Sequence, residues 1–167
     1  MPTESLSVVQ NLESGAAVQD GVTTAFFFHD GGAPSPREFP LWANCHDLAL
    51  DQFRELVGSL PDLVFDGQLA GGSRDQVLAE AVAAEQSLAF KLRPLGNRKA
   101  PSLIEAHSWL QQAVCDVDPG LRVHREADTE GGLPEEWSVR KVMRRSIWEL
   151  RYRSARLRAA ANRIWLP

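Results

Sequence analysis

The side chains best suited to acid–base or metal chemistry are four histidines, His29, His46, His107 and His124. No two stand four residues apart, so no single helix turns a pair of imidazoles to one face, the arrangement on which helical metal motifs depend. His46 and His107 each sit at the edge of an apolar stripe on a different expected helix. Two such imidazoles can meet in a bundle interior and, with a carboxylate, take a divalent metal such as zinc or nickel. The commoner fate of such residues is a hydrogen-bonded edge position, and the expectation is that no cofactor is bound. Cys45 and Cys115 each fall within an apolar helical stripe, where a reduced thiol behaves as a small hydrophobe. Their number and spacing fit neither a disulfide framework nor a zinc pattern. Neither cysteine lies near an expected helix N-terminus that would activate it, and no G-x-S-x-G, P-loop or G-x-G-x-x-G is present.

The elements that must position these groups are helical. The segment from Ser138 to Asn162 contains no Gly or Pro, and Val139, Val142, Met143, Ile147, Leu150, Ser154, Leu157 and Ala161 recur at three- and four-residue steps. At about 100° per residue they form one arc that faces a core. Upstream, Ser35-Pro-Arg-Glu38 reads as a capping box with proline at the first helical position, although Pro40 allows a later start. That helix carries Trp42, Cys45, Ala49, Phe53, Leu56 and Leu60 on one face and ends before Pro61. Ser73-Arg-Asp-Gln76 is a second capping box, opening a helix with Val77, Leu78, Ala81, Val82, Leu88, Ala89 and Leu92 inward. A third helix starts near Pro101-Ser102, with Leu103, Ala106, Leu110, Ala113, Val114 and Val117 on one face. Residues 121–136 have no sustained period and read as a long exposed loop. The expected fold is all-α, a four-helix bundle over residues 35–167, because each narrow apolar stripe is satisfied only by the others. Residues 1–34 read as a short β-hairpin or extended arm, with a turn at Asp20-Gly21 and an anchor at Phe26 to Phe28.

A chain of 167 residues suits one domain with a real core. No apolar run approaches the roughly 18 residues that span a bilayer, and the N-terminus has no apolar leader, so a cytoplasmic protein with no membrane partner is expected. The net charge of −4 is unevenly spread: residues 140–163 carry nine basic side chains against the single acid Glu149, leaving nine basic and 21 acidic residues elsewhere. The simplest partner for the basic helix is the rest of its own chain. A nucleic-acid role for that helix, with Trp148 and Tyr152 among the cations, is the alternative that this pairing disfavours. On the wheel, Lys141, Arg145 and Arg163 lie on the outer face and Trp148 points away from the core, to be covered by the N-terminal arm or by a second copy in a homodimer.

Two stretches carry a resemblance. Trp137-Ser-Val-Arg-Lys-Val-Met-Arg-Arg-Ser-Ile-Trp-Glu-Leu-Arg-Tyr-Arg153 is similar to the last helix of DinB-like four-helix proteins, where W-[ST]-x-R-K-V-L-R-R leads to W-H-E-x-x-H. Ser73 to Glu85 resembles that family's second helix, S-x-R-x-x-L-x-H-x-x-x-x-E. The resemblance implies a bundle whose members hold a divalent metal with one histidine from the second helix and two from the last, and include thiol transferases and isomerases. Carried over, those positions are Glu80, Glu149 and Arg153, none of them a histidine. An arginine does not ligate a divalent cation and opposes its charge. Taking Leu150 as the arc's centre, Arg153 lies about 60° and Glu149 about 100° away, at the core's edge, and their acid-before-base i, i+4 order favours an ion pair. The resemblance therefore implies a degenerate metal site. The expected function is non-catalytic: small-ligand binding in a cavity near Glu80, Glu149, Arg153, His46 and His107, or protein interaction. The enzymatic alternative is a metal-dependent transferase or hydrolase in which His46 or His107 joins Glu80 or Glu149.

Overall fold

The computed structural model describes residues 28–65, 72–94, 96, 98–125 and 135–165. The expected hairpin or arm at 1–34 falls almost wholly outside them; its described part opens with a 3₁₀ turn, Phe28–Gly31. The described residues are mostly helical, with four long helices, one short one and a small antiparallel sheet: α1 Glu38–Ser59, α2 Asp62–Phe65, α3 Arg74–Leu92, α4 Leu103–Asp116, β1 Arg122–Arg125, β2 Glu135–Ser138 and α5 Val139–Trp165.

The helix starts follow local chemistry. At α3 the Ser73 hydroxyl accepts from the Gln76 amide while the Gln76 side chain accepts from the Ser73 amide, so two otherwise unpaired donors are satisfied reciprocally. Gly72 precedes this box at φ 121°, and a side chain there would collide with the Gln76 carboxamide. At α1 only half of the expected box forms: Glu38 reaches back to the Ser35 amide at 2.7 Å, but no side chain caps the helix. Pro40 sits in the first turn, where its missing N–H costs nothing.

Helix directions follow from which ends meet. Arg93, closing α3, pairs with Asp116 at the end of α4 at 3.0 Å, so those two helices run parallel. The described part of their connector returns alongside α3, where the Gln86 carboxamide donates to the Arg98 carbonyl at 2.7 Å and accepts from the Ala100 amide at 3.0 Å. Arg140 at the start of α5 pairs with Glu38 at the start of α1 at 2.9 Å, so α1 and α5 also run parallel. The most extensive packing is between α3 and α4, between α1 and α5, and between α3 and α5.

Buried apolar side chains form two clusters. One holds Leu50, Phe53 and Val57 of α1, Val64 and Phe65 of α2, Val77 and Ala81 of α3, Leu103, and Leu150 and Leu157 of α5. The other holds Trp42, Leu88, Ala89, Leu92, Leu110, Val114, Trp137, Val142 and Met143. On each long helix a polar residue is buried between the two sets: His46, Glu85, His107 and Ser146. A polar layer thus divides the core.

Several expectations are corrected here. Residues 121–136 are not wholly an exposed loop: β1 and β2 pair with Val123 opposite Trp137. Four-residue strands are too short to show a period, and the pairing is held by Trp137, which buries against the second cluster. Cys45 is half-buried because α1 turns His46 inward instead, and Cys115 is exposed because α4 buries Val114 beside it; Val57 is buried next to Leu56, which packs partly buried against the first cluster. Within α5, Trp148 stacks on Tyr152 at 4.8 Å with the Arg145 guanidinium 4.4 Å from its ring, while the arm expected to cover it falls almost wholly outside the described residues.

Lys141 is likewise fully buried rather than outward, because Trp137 and the sheet fold over the start of α5. Its ammonium donates to the Glu136 carbonyl at 2.8 Å and lies 4.3 Å from the Trp137 ring. Burial pulls its pKa from 10.5 down to about 8. Because the unfolded chain keeps that proton to higher pH, stability rises between about pH 8 and 10.5, and below pH 8 the full cost of about 3 kcal/mol is present. Lys141→Met removes that cost but forfeits the carbonyl bond, worth about 1 kcal/mol, and the cation–π contact with Trp137, worth about 0.5–1 kcal/mol. The variant is expected to be about 1–2 kcal/mol more stable at pH 7, an advantage that shrinks towards pH 10 in denaturant titrations. A Met variant less stable than the parent at pH 7 would contradict this.

Candidate functional site

The polar layer brings three helices to one point. His46 of α1 is 0% exposed, Glu85 of α3 is 1% and His107 of α4 is 5%. His46 Nε2 lies 3.2 Å from Glu85 Oε1 and 3.0 Å from Oε2, and His107 Nδ1 lies 3.4 Å from that same Oε2. The two imidazoles are tilted against each other with centroids 3.9 Å apart, and Trp42 stacks on His46 at 5.2 Å. Trp42 is pinned in turn, its indole N–H donating to the Met143 carbonyl at 2.9 Å and the Ser146 hydroxyl at 3.1 Å.

The outer edge of the layer is Asp47, 56% exposed, whose Oδ1 accepts from His107 Nε2 at 2.8 Å and from the Gln111 carboxamide at 2.7 Å. An ionised carboxylate only accepts, so the Nε2 of His107 carries a proton and its Nδ1 is the atom turned inward. The electrostatics agree: the His107 hydrogen bond holds Asp47 below the usual carboxylate range. Burial alone would raise Glu85, but the attraction of His107 and His46 outweighs it and holds the carboxyl low. Burial likewise opposes charge on His107, and the two flanking carboxylates outweigh it, raising its pKa. Glu85 Oε2, His107 Nδ1 and His46 Nδ1 are fully buried without an aligned hydrogen bond. The 3.4 Å contact is therefore a Coulombic approach of two polar atoms rather than a hydrogen bond.

Glu80, Glu149 and Arg153 also come together, but elsewhere. Arg153 reaches from α5 to Glu80 of α3 at 2.9 Å and lies 3.8 Å from Glu149, which receives Arg145 at 2.6 Å. Two carboxylates and two guanidiniums thus alternate in one ladder. The carboxylate that meets His46 and His107 is Glu85, not Glu80 or Glu149. It was concealed because a charge in an apolar stripe reads as an interruption, although Glu85 follows Ala81 by four residues and precedes Leu88 by three. Gln111, four residues after His107, carried the second available signal.

Three of the other cations of the basic helix also find internal partners: Arg140 with Glu38, Arg144 with Asp30 at 2.6 Å, and Lys141 with the Glu136 carbonyl. Among the described residues no helix is long and apolar enough to cross a membrane. A cavity of about 810 Å³ lies along α3, lined by Val82, Gln86, Phe90, Lys91, Lys99 and Arg125 among others. None of the five residues expected to line a ligand cavity belongs to it. Its wall is firm where Arg125 of β1 donates to the Phe90 and Lys91 carbonyls that end α3. No protein-family model, curated protein or solved structure matches the chain.

Proposed function

We propose that this chain is a non-catalytic, DinB-like four-helix bundle that binds a small amphipathic anion in the groove along α3. The observation that carries the non-catalytic part is the ladder Glu80–Arg153–Glu149–Arg145, in which the positions that the resemblance assigns to metal ligands neutralise one another. The groove has the volume of small-molecule sites, about 300–1,000 Å³. Its lining combines the apolar Val82 and Phe90 with the cationic Lys91, Lys99 and Arg125, which suits a carboxylate or sulfonate joined to an apolar body.

The test uses anilinonaphthalene sulfonate, an aromatic anion that fluoresces on entering an apolar site. The folded chain is expected to bind one equivalent, displaced by a medium-chain fatty acid. Val82→Trp, which fills the groove, and Lys99→Glu, which reverses a cation at its rim, are each expected to weaken binding roughly tenfold, the effect of about 1.4 kcal/mol. Equal affinity in both variants and the parent, with unchanged circular dichroism, would refute the assignment. Chelator treatment is expected to leave this binding unaltered.

A further inference from the structure

We infer that His46, Glu85 and His107 form a divalent transition-metal site of the zinc class, a role separate from the α3 groove and built on residues outside the Glu80, Glu149 and Arg153 set.

Geometry carries the assignment. Zinc binds imidazole nitrogen and carboxylate oxygen at about 2.0–2.2 Å, so donors around one ion in a tetrahedron lie about 3.3 Å apart. Here the donor separations are 3.0 Å from His46 Nε2 to Glu85 Oε2 and 3.4 Å from His107 Nδ1 to the same oxygen, and one ligand atom from each of the three residues falls within 4.8 Å of the others. Glu85 Oε1, 3.2 Å from His46 Nε2, makes a fourth donor from the same carboxylate.

A second observation points the same way. Glu85 Oε2 and His107 Nδ1 are wholly buried, face each other and have no aligned hydrogen bond. Buried polar atoms are almost always paired, and a carboxylate oxygen and an imidazole nitrogen that converge without an aligned hydrogen bond can both turn lone pairs to a cation once Nδ1 is unprotonated. The surroundings supply the remaining requirement. Asp47 fixes the proton of His107 on Nε2 at 2.8 Å, the carboxylate–histidine support that orients a ligating imidazole, and Gln111 holds Asp47 at 2.7 Å. Imidazole nitrogen with carboxylate oxygen selects zinc, nickel or copper over magnesium or calcium. With its three ligands between 0% and 5% exposed and Trp42 stacked on His46, the ion has no route to a substrate and acts as a clamp joining α1, α3 and α4.

The experiment starts from the full chain stripped with a chelator and dialysed. Zinc chloride is titrated against a chromogenic chelator, melting temperature is followed, and the cobalt(II) form is examined for visible ligand-field bands. One zinc per chain, a rise in melting temperature and a cobalt spectrum characteristic of low coordination number are expected. His46→Gln and His107→Gln are expected to abolish uptake. Asp47→Asn, at an exposed position, is expected to keep the metal-free melting temperature and weaken zinc binding about 10–100-fold. Absence of zinc competition and of cobalt bands in the parent chain would overturn the site even where the histidine variants do not fold. Uptake equal in the parent and all three variants would do the same. Binding of anilinonaphthalene sulfonate by the zinc-free chain reports on the groove alone, so either assignment can fail without the other.

Discussion

Replacing Glu85 with alanine is expected to lower the unfolding free energy of the metal-free protein by about 3–5 kcal/mol, the cost of breaking a buried charged contact from one side. The side chain is 1% exposed and its oxygens lie 3.0–3.4 Å from two imidazoles. Its removal opens a cavity, leaves the rings of His46 and His107 facing each other at 3.9 Å and takes away the negative charge that offsets His107. Glu85→Gln keeps the volume and a hydrogen-bonding group, so its loss is expected to be smaller. Asp47→Asn is the control, since a pair with one partner 56% exposed contributes only about 0–1 kcal/mol. Urea titrations followed by circular dichroism measure all three. If the alanine variant loses under about 1 kcal/mol, the imidazole–carboxylate layer does not hold the three helices together as described.

The second large effect is expected at Arg144, which grips the buried Asp30 through two parallel bonds, Nε to Oδ1 at 3.0 Å and Nη2 to Oδ2 at 2.6 Å. This fork ties the 3₁₀ turn Phe28–Gly31 to α5, and the Ser138 hydroxyl at the end of β2 also donates to the Asp30 carbonyl at 2.5 Å. Arg144→Ala is expected to cost about 3 kcal/mol, at the low end of the range for a broken buried pair, because the charge of Lys141 also acts on Asp30. Arg144→Lys keeps the charge and loses the fork, so it should recover only part of the stability. In a double-mutant cycle, Asp30→Asn is expected to make the Arg144 substitution much less costly, with a coupling above about 1 kcal/mol. Additive losses would show that the two residues act independently.

Much of the helical framework was legible from local signals. Ser73 and Gln76 form the box their spacing implied, Ser102 caps α4, and α5 runs from just after Ser138, whose hydroxyl accepts from the Lys141 amide. The apolar arcs of α4 and α5 are close to those buried, since three- and four-residue spacing is a property of the helix itself. The pairing of β1 with β2 was not legible: in Arg122–Arg125 and Glu135–Ser138 only Val123 and Trp137 are large and apolar.

The candidate site divides along the same line. That His46 and His107 lie near the edges of their helices, and that Glu149 and Arg153 can pair along α5, follow from the sequence alone, because both depend on spacing within one helix. That Glu85 rather than Glu80 meets the imidazoles, that Arg153 reaches Glu80 on another helix, and that Lys141 is enclosed were decided by tertiary packing. The physical reason is that the rotation and axial offset of one helix against another are set by how whole side chains fit. A buried charge is tolerated only where a partner from a different helix arrives at the same depth.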